Sequence, residues 1–433
     1  MSTTRYRTID RTGGLSRRDL LRGSALAAGA AAASAFPAPF GFTRTPITLR
    51  LAGTGVNAFN EIAERCKQDL GFNLQITTLV SDDVVRRAVT QPTSFDLLDS
   101  EYWMLKKIVP SGNLRGMDVK RIKLYDKIVP IFTQGKLPDG TPTSRVGIAP
   151  IKVSYVKQEI DPKEFADGPT QFMTLVPTIY NADTLGIRPD LIKRPISSWA
   201  ELANPEFKGK ASILNIPAIG IMDAGMVCQA TGRVTYKDMG DMSKEEIDKT
   251  IAFLIELKKA GQFRALWKEF NESVNLMASG EVVIQSMWSP AVTKVRQMGI
   301  PCVYQPLKEG YRAWAGGLGI SSKLDPKMVD PAYEFINWYL SGWVGAFLNR
   351  QGYYTAVLET AKQYMSEDEW GYWMEGKPCR GPIVSPTGDR IAQPGEIRDG
   401  GSFYERMGKV AVWNTVMEED RYMVRKWNEF VAA

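Results

Sequence analysis

The chain has 433 residues, is 44% hydrophobic and 24% charged, and carries a formal net charge of +6. This length buries a sizeable core and favours two domains or lobes over one. With zero histidines, Ser-His-Asp and Cys-His nucleophiles, His-ligated zinc and the commonest general base at neutral pH are excluded.

Residues 1–35 read as an export signal. Arg5, Arg7, Arg11, Arg17, Arg18 and Arg22 precede a small apolar run, Gly23 to Ala35, that is too short to span a bilayer. Ser16-Arg17-Arg18-Asp19-Leu20-Leu21-Arg22 resembles the twin-arginine translocation pattern, and Ala33-Ser34-Ala35 offers a small-residue cleavage site. With no cysteine there, no lipid anchor is indicated, and the mature protein is expected to be free in the periplasm. Losing the signal lowers the formal charge from +6 to about +2, so the basic balance gives no reason to expect nucleic acid. Cys66, Cys228, Cys302 and Cys379 lack C-x-x-C spacing for zinc or redox work, and their pairing stays open.

Ile47-Thr48-Leu49-Arg50-Leu51 alternates like a strand and ends at Gly53-Thr54-Gly55, with a helix expected from Asn57 to about Leu70. A second strand is expected from Asn73 to Val80, a helix capped by Ser81, and a third strand at Phe95-Asp96-Leu97-Leu98-Asp99. Alternating β and α segments imply a mostly parallel sheet. Residues 135–170 read as a long loop or hairpin insertion.

A second βα set is expected from Phe172 to Asn181 and Lys210 to Asn215, followed by a helix from Ser243 to Ala260. Ser243 and Glu246 form a capping-box pair, and Ile247, Ile251, Leu254 and Ile255 make the buried stripe. Val282 to Met287 and Cys302 to Leu307 read as strands, Asp330-Pro331 as the start of a helix reaching about Asn349, and the tail from Ser402 as helical.

Gly53-x-Gly55-x-x-Ala58, between a strand and a helix, fits a loose dinucleotide fingerprint, with Asp82 or Asp83 about where a ribose-binding acid would fall. The same turn serves a binding protein by offering backbone N–H groups at a helix amino terminus, and that role is preferred.

Met277-Ala278-Ser279-Gly280-Glu281-Val282 through Ser286-Met287-Trp288-Ser289, then Pro306-Leu307-Lys308-Glu309-Gly310, Trp314, Gly316 to Ile320 and Gln351-Gly352-Tyr353-Tyr354 resemble the spermidine/putrescine-binding periplasmic proteins in order and spacing. Phe95 to Tyr102 resembles that family's cleft strand, and Val176 to Leu185 its hinge strand. The resemblance implies an α/β, two-lobed periplasmic-binding-protein fold with crossing hinge strands and a ligand cleft between lobes. Lobe 1 would be 46–174 and 312–345, and lobe 2 would be 175–311 and 346–433.

Carried over by position, Tyr102, Trp288, Trp314 and Tyr353 would be aromatic walls of the cleft, with Ser100, Glu101 and Ser289 close by. Trp288 and Trp314 would face each other across it, near a strand crossing expected at 303–312. Gly53, Thr54, Asp223 and Gly316 complete the expected ligand-binding set. Two departures from the family bear on the ligand: Ala315-Gly316-Gly317 stands where an amine-binding acid is expected, and Leu51-Ala52-Gly53 where a Trp, an acid and a Tyr are expected. A polyamine would then need Glu101, Asp223 or Glu309 as its carboxylate.

The expected function is solute binding for an ABC-type importer, with a small-molecule solute and a membrane permease as partners, lobe closure as mechanism and a monomer as state. No catalysis, metal, cofactor or nucleic acid is expected. The alternatives are an exported nicotinamide-dependent oxidoreductase and a binder of an anionic solute.

Overall fold

The computed structural model describes residues 47–433, so the expected signal segment lies outside the described residues. The first βα units are β1 (Thr48–Gly53), α1 (Asn60–Leu70), β2 (Asn73–Thr78), α2 (Ser81–Thr90) and β3 (Leu97–Glu101). After the 135–170 region come β4 (Val176–Ile187), β5 (Ala211–Leu214), α3 (Pro217–Ala230), α4 (Lys244–Lys259) and β6 (Phe263–Trp267). Next are α5 (Phe270–Ser279), β7 (Ile284–Met287), α6 (Ser289–Gln297), β8 (Val303–Gln305) and β9 (Tyr311–Ser321). The chain closes with α7 (Pro326–Tyr339), α8 (Trp343–Asn349), the hairpin β10 (Ile383–Val384) and β11 (Arg390–Ala392), β12 (Val410–Trp413) and α9 (Asp420–Ala432).

One sheet runs through the molecule in the order β6-β5-β7-β4-β9-β3-β1-β2. Its two ends are parallel, as the alternating elements imply, and its middle is antiparallel, with β9 lying between β4 and β3. Every residue of β4 and β9 is buried, which is why neither strand shows an inside-outside alternation.

The start of β4 pairs with β9, while its end, Leu185 to Ile187, is held between β7 and β8. The crossing expected at 303–312 is therefore made by β4 and β9, with β8 a short side strand. Gly317 sits at the register shift between them, where a Cβ would come 2.5 Å from the Val176 carbonyl oxygen, so only glycine lets these strands approach.

Two large hydrophobic cores lie on either side of this crossing. One gathers Leu49, Leu97, Ile179, Leu318 and Phe335, and the other Leu185, Ile213, Ile251, Ile284 and Trp427. Within 346–433, expected with the second lobe, Phe347, Tyr354, Trp373, Phe403 and Trp413 join the first core, whereas Met423, Trp427 and Phe430 on α9 join the second.

Local expectations fared differently. The Ser243–Glu246 capping box forms, and Ile247, Ile251 and Leu254 are buried as expected, while Ile255 at the edge of the stripe is half-buried. Ser81 makes no capping bond and is the first helical residue. The helix expected at Asp330 starts instead after Asp325, whose side chain accepts from the Lys327 amide. It ends before Gly342, whose φ of 121° only glycine adopts easily. The tail is not one helix: β12 pairs beside β9, because its Val410-Ala411-Val412-Trp413 run favours strand. The 135–170 region is loop apart from elements of two or three residues, and the Trp413 Nε1–H donates to its Ser144 carbonyl.

Candidate functional site

A cavity of about 690 Å³ opens where β3, β4 and β9 run side by side. These strands contribute Glu101, Asp183, Arg312 and Trp314 to its lining. Thr54 to Val56 and Phe59 border it from the turn before α1, and Thr78 to Ser81 from the turn before α2. Across from these, Ile216 and Ile219, Lys268 to Phe270, and Trp288 with Pro290 enter at the first turns of α3, α5 and α6. Helix amino termini carry partial positive charge, so several weak dipoles converge on this space.

The turn before α1 is organised by Asp99. Its buried carboxylate accepts from the amides of Gly55 and Asn57 at 3.1 and 3.3 Å and from Asn57 Nδ2 at 2.6 Å. Burial pushes the Asp99 carboxyl up to about 6 against the pull of these donors. Those amides are thus spent inside the protein. The dinucleotide reading of Gly53-x-Gly55 loses its basis, because the N–H groups that would hold a pyrophosphate already hold an internal acid. The preferred cradle role for the same amides fails for the same reason. Gly53 does not face the cavity either: a Cβ there would lie 2.3 Å from the Asp99 carbonyl oxygen, so this glycine permits close contact of β1 and β3.

At the strand crossing, Arg312 stands opposite Asp183 in the β4–β9 register. Its Nε–H donates to Asp223 on α3 at 2.7 Å, its Nη1 to Asn414 at 3.0 Å, and its Nη2 lies 3.4 Å from Asp183. Burial pushes both aspartates upward and the Arg312 guanidinium pulls them back, which keeps this group a compensated ionic cluster. Asp183 also accepts from Tyr304 Oη at 2.8 Å. Glu101 is a separate acid, 9% exposed, that accepts from Trp103 Nε1 at 2.8 Å. Burial pushes its carboxyl up to about 7, with the Trp103 bond and Arg312 opposing.

Aromatic faces line the rest. Trp314 meets Tyr353 edge to face at 5.8 Å, Trp288 meets buried Trp267 at 4.8 Å, and Phe59 meets Phe347 at 5.5 Å.

Of the residues expected from sequence, Thr54, Glu101, Trp288, Trp314 and Tyr353 line this cavity, and Gly53, Ser100, Tyr102, Asp223, Ser289 and Gly316 do not. Ser100 turns into the core and donates to the Glu101 carbonyl. Tyr102 packs on Phe132 at 5.4 Å and donates to Leu175. Asp223 lies behind Arg312, and Ser289 borders a separate small pocket. Gly316 is enclosed by Ile179 and Asn57. Glu309 accepts from Ser198 and the Trp199 amide, away from the cavity. Sequence reasoning missed Arg312, Asp183, Phe59, Asn414 and the Ser385 to Thr387 turn of the β10–β11 hairpin, all in the lining. The available signal was a single charge inside each of two strands that carry no other.

A cavity set at a strand crossing between two cores, with aromatic walls and an internally paired arginine, defines a two-lobed binding protein. Residues 61–370 match the family described as bacterial extracellular solute-binding protein, and the chain belongs to that family. The spermidine/putrescine-binding periplasmic protein of Escherichia coli (strain K12) is 28% identical over 166 residues, 38% of this chain and 44% of that protein. The chain thus spans less than half the length of the curated relatives it matches.

Two solved structures share the fold. One is the spermidine/putrescine ABC transporter substrate-binding protein PotD from Streptococcus pneumoniae, with a TM-score of 0.58 at 14% identity, covering 89% of this chain and 98% of that one. The other is the PBP AgtB from A. tumefaciens R10 in complex with agropinic acid, with a TM-score of 0.57 at 13% identity, covering 89% and 99%. Among the described residues, no helix is long and apolar enough to cross a membrane.

Proposed function

We propose that this chain is the solute-binding component of an ABC-type importer. It captures one small organic solute by lobe closure over the strand crossing and presents the closed form to a membrane permease. The observation that carries this is the cavity of about 690 Å³ bounded by both halves of the sheet, a size suited to a small organic molecule. The chain performs no chemistry on the solute, works in the periplasm as a monomer, and reaches it by the twin-arginine route through Arg17 and Arg18.

The polyamine-like character of the relatives meets a limited supply of acids here. Glu101 is the buried acid of the lining without an arginine partner, while Glu61 and Glu269 are exposed. One amine beside Glu101 and an aliphatic body against Trp288 and Trp314 suit this arrangement. A second reading, an anionic solute, is favoured by the helix starts that border the cavity.

Native mass spectrometry of protein purified from the periplasm tests the function. One bound small molecule is expected, and an empty protein that also gives no melting shift with polyamines, amino acids and organic acids would overturn it. Calorimetry in two buffers of different ionisation enthalpy separates the two ligand classes. Near pH 7 a cation beside Glu101 expels a proton, whereas an anion takes one up.

A further inference from the structure

A second cavity, of about 20 Å³, lies behind α6 and shares only Thr293 with the solute cavity. Its charged lining is unbalanced. Arg296, Arg398 and Arg406 face it together with a single acid, Asp399. Asp399 is already spent, accepting from Arg296 Nη2 at 2.8 and 3.0 Å and from the Tyr304 amide at 2.7 Å.

Arg398, 5% exposed, donates only to carbonyls, those of Trp373 and Gly352, each at 2.7 Å. Arg406, 1% exposed, donates to the carbonyls of Asp399 and Ala182 at 2.9 and 2.8 Å and lies 3.5 Å from Asn181 Oδ1. The nearby Asp183 is taken by Arg312 and Tyr304. Two further donors of the lining, Arg406 Nε–H and Trp373 Nε1–H, have no partner among the described residues.

A guanidinium out of water without a counter-charge is costly, and the rings of Tyr354, Trp373, Tyr304 and Tyr311, 4.5 to 5.5 Å from the two arginines, offset only part of that cost. We propose that this pocket holds one small monovalent anion of the halide class, bound by Arg398, Arg406 and Trp373 and bordered by the hydroxyls of Ser289 and Thr293. The volume is about that of one or two water-sized particles, which admits a halide and excludes phosphate, sulfate and organic carboxylates. Burial, with Arg406 close by, pulls the Arg398 guanidinium down to about 10, a strain that an adjacent anion relieves. The anion would tie the segment around Arg398, beyond the family match, to α6, and so hold one wall of the solute cavity.

The test is thermal denaturation of the full purified chain in chloride or bromide against gluconate at constant ionic strength. Saturable stabilisation by the halides, absent in gluconate, is expected. Equal or unsaturated drift in both salts is the general salt response of any protein and would overturn the proposal. Arg398→Met is expected to lose the saturable component. If that variant does not fold, bromide-soaked crystals of the unaltered protein decide. An anomalous peak between the Arg398 and Arg406 guanidinium groups supports the site, and an ordered water there, or a peak elsewhere only, sinks it.

Discussion

Arg312 and Arg406 are each 1% exposed, yet they are compensated differently. Arg312 has two aspartates and an amide oxygen within reach, supplied by β4, α3 and the residue after β12. Arg406 has carbonyl dipoles and aromatic faces, and Asp399, whose backbone carbonyl it meets, gives its carboxylate to Arg296. The first cluster finds its counter-charges within the chain, two acids to one guanidinium. The second is open by charge, which places its counter-ion outside the chain.

Arg312→Met is the sharpest way to break this contrast. It strands two buried carboxylates, and a loss of about 3–5 kcal/mol in urea unfolding is expected. Adding Asp183→Asn and Asp223→Asn to the same chain should recover part of it, and failure to do so would show that Arg312 acts by packing. Arg406→Met strands no acid. It leaves two carbonyls without donors, for an expected loss of about 1–3 kcal/mol that shrinks when halide is withheld. A loss equal to that of Arg312→Met would erase the difference.

Glu101 gives a smaller effect, readable as a pH profile. Its folded-state pKa is raised to about 7 from an ordinary 4.5, so the folded chain holds its proton more tightly than the unfolded one. Its contribution is fully present below about 4.5 and is lost as pH rises through about 7. Glu101→Gln should therefore melt higher, relative to the unaltered protein, at pH 8 than at pH 5. Parallel profiles would place Glu101 in water. Smallest is the Ser243 cap of α4: Ser243→Ala should cost about 1 kcal/mol, and both arginine variants should exceed it.

What could be read in advance was local. The Leu49–Leu51 alternation and the Ser243–Glu246 cap are short-range codes, and each forms. The shared strand near Val176 was legible through family likeness, and Trp288, Trp314 and Glu101 through position. The Arg312 cluster was not, because its partners lie 89, 102 and 129 residues away and no periodicity links them. Tyr102 misled for a related reason: an aromatic after Ser100-Glu101 suits a cleft wall or a core equally, and the nearby Phe132 ring decides for the core. The β12 strand was lost inside a helical reading because its partner, β9, is distant in sequence.

The position of α9 bears on how the protein is made. Trp427 donates to Asn215 across 212 residues and fills the space a Gly220 side chain would need. Lys258 reaches the carbonyl of Val431, 173 residues on. The second core is therefore sealed by a segment synthesised long after its strands. Contacts this distant in sequence make completion of that half slow. The second core stays incomplete until α9 has docked Trp427 against Gly220 and Asn215.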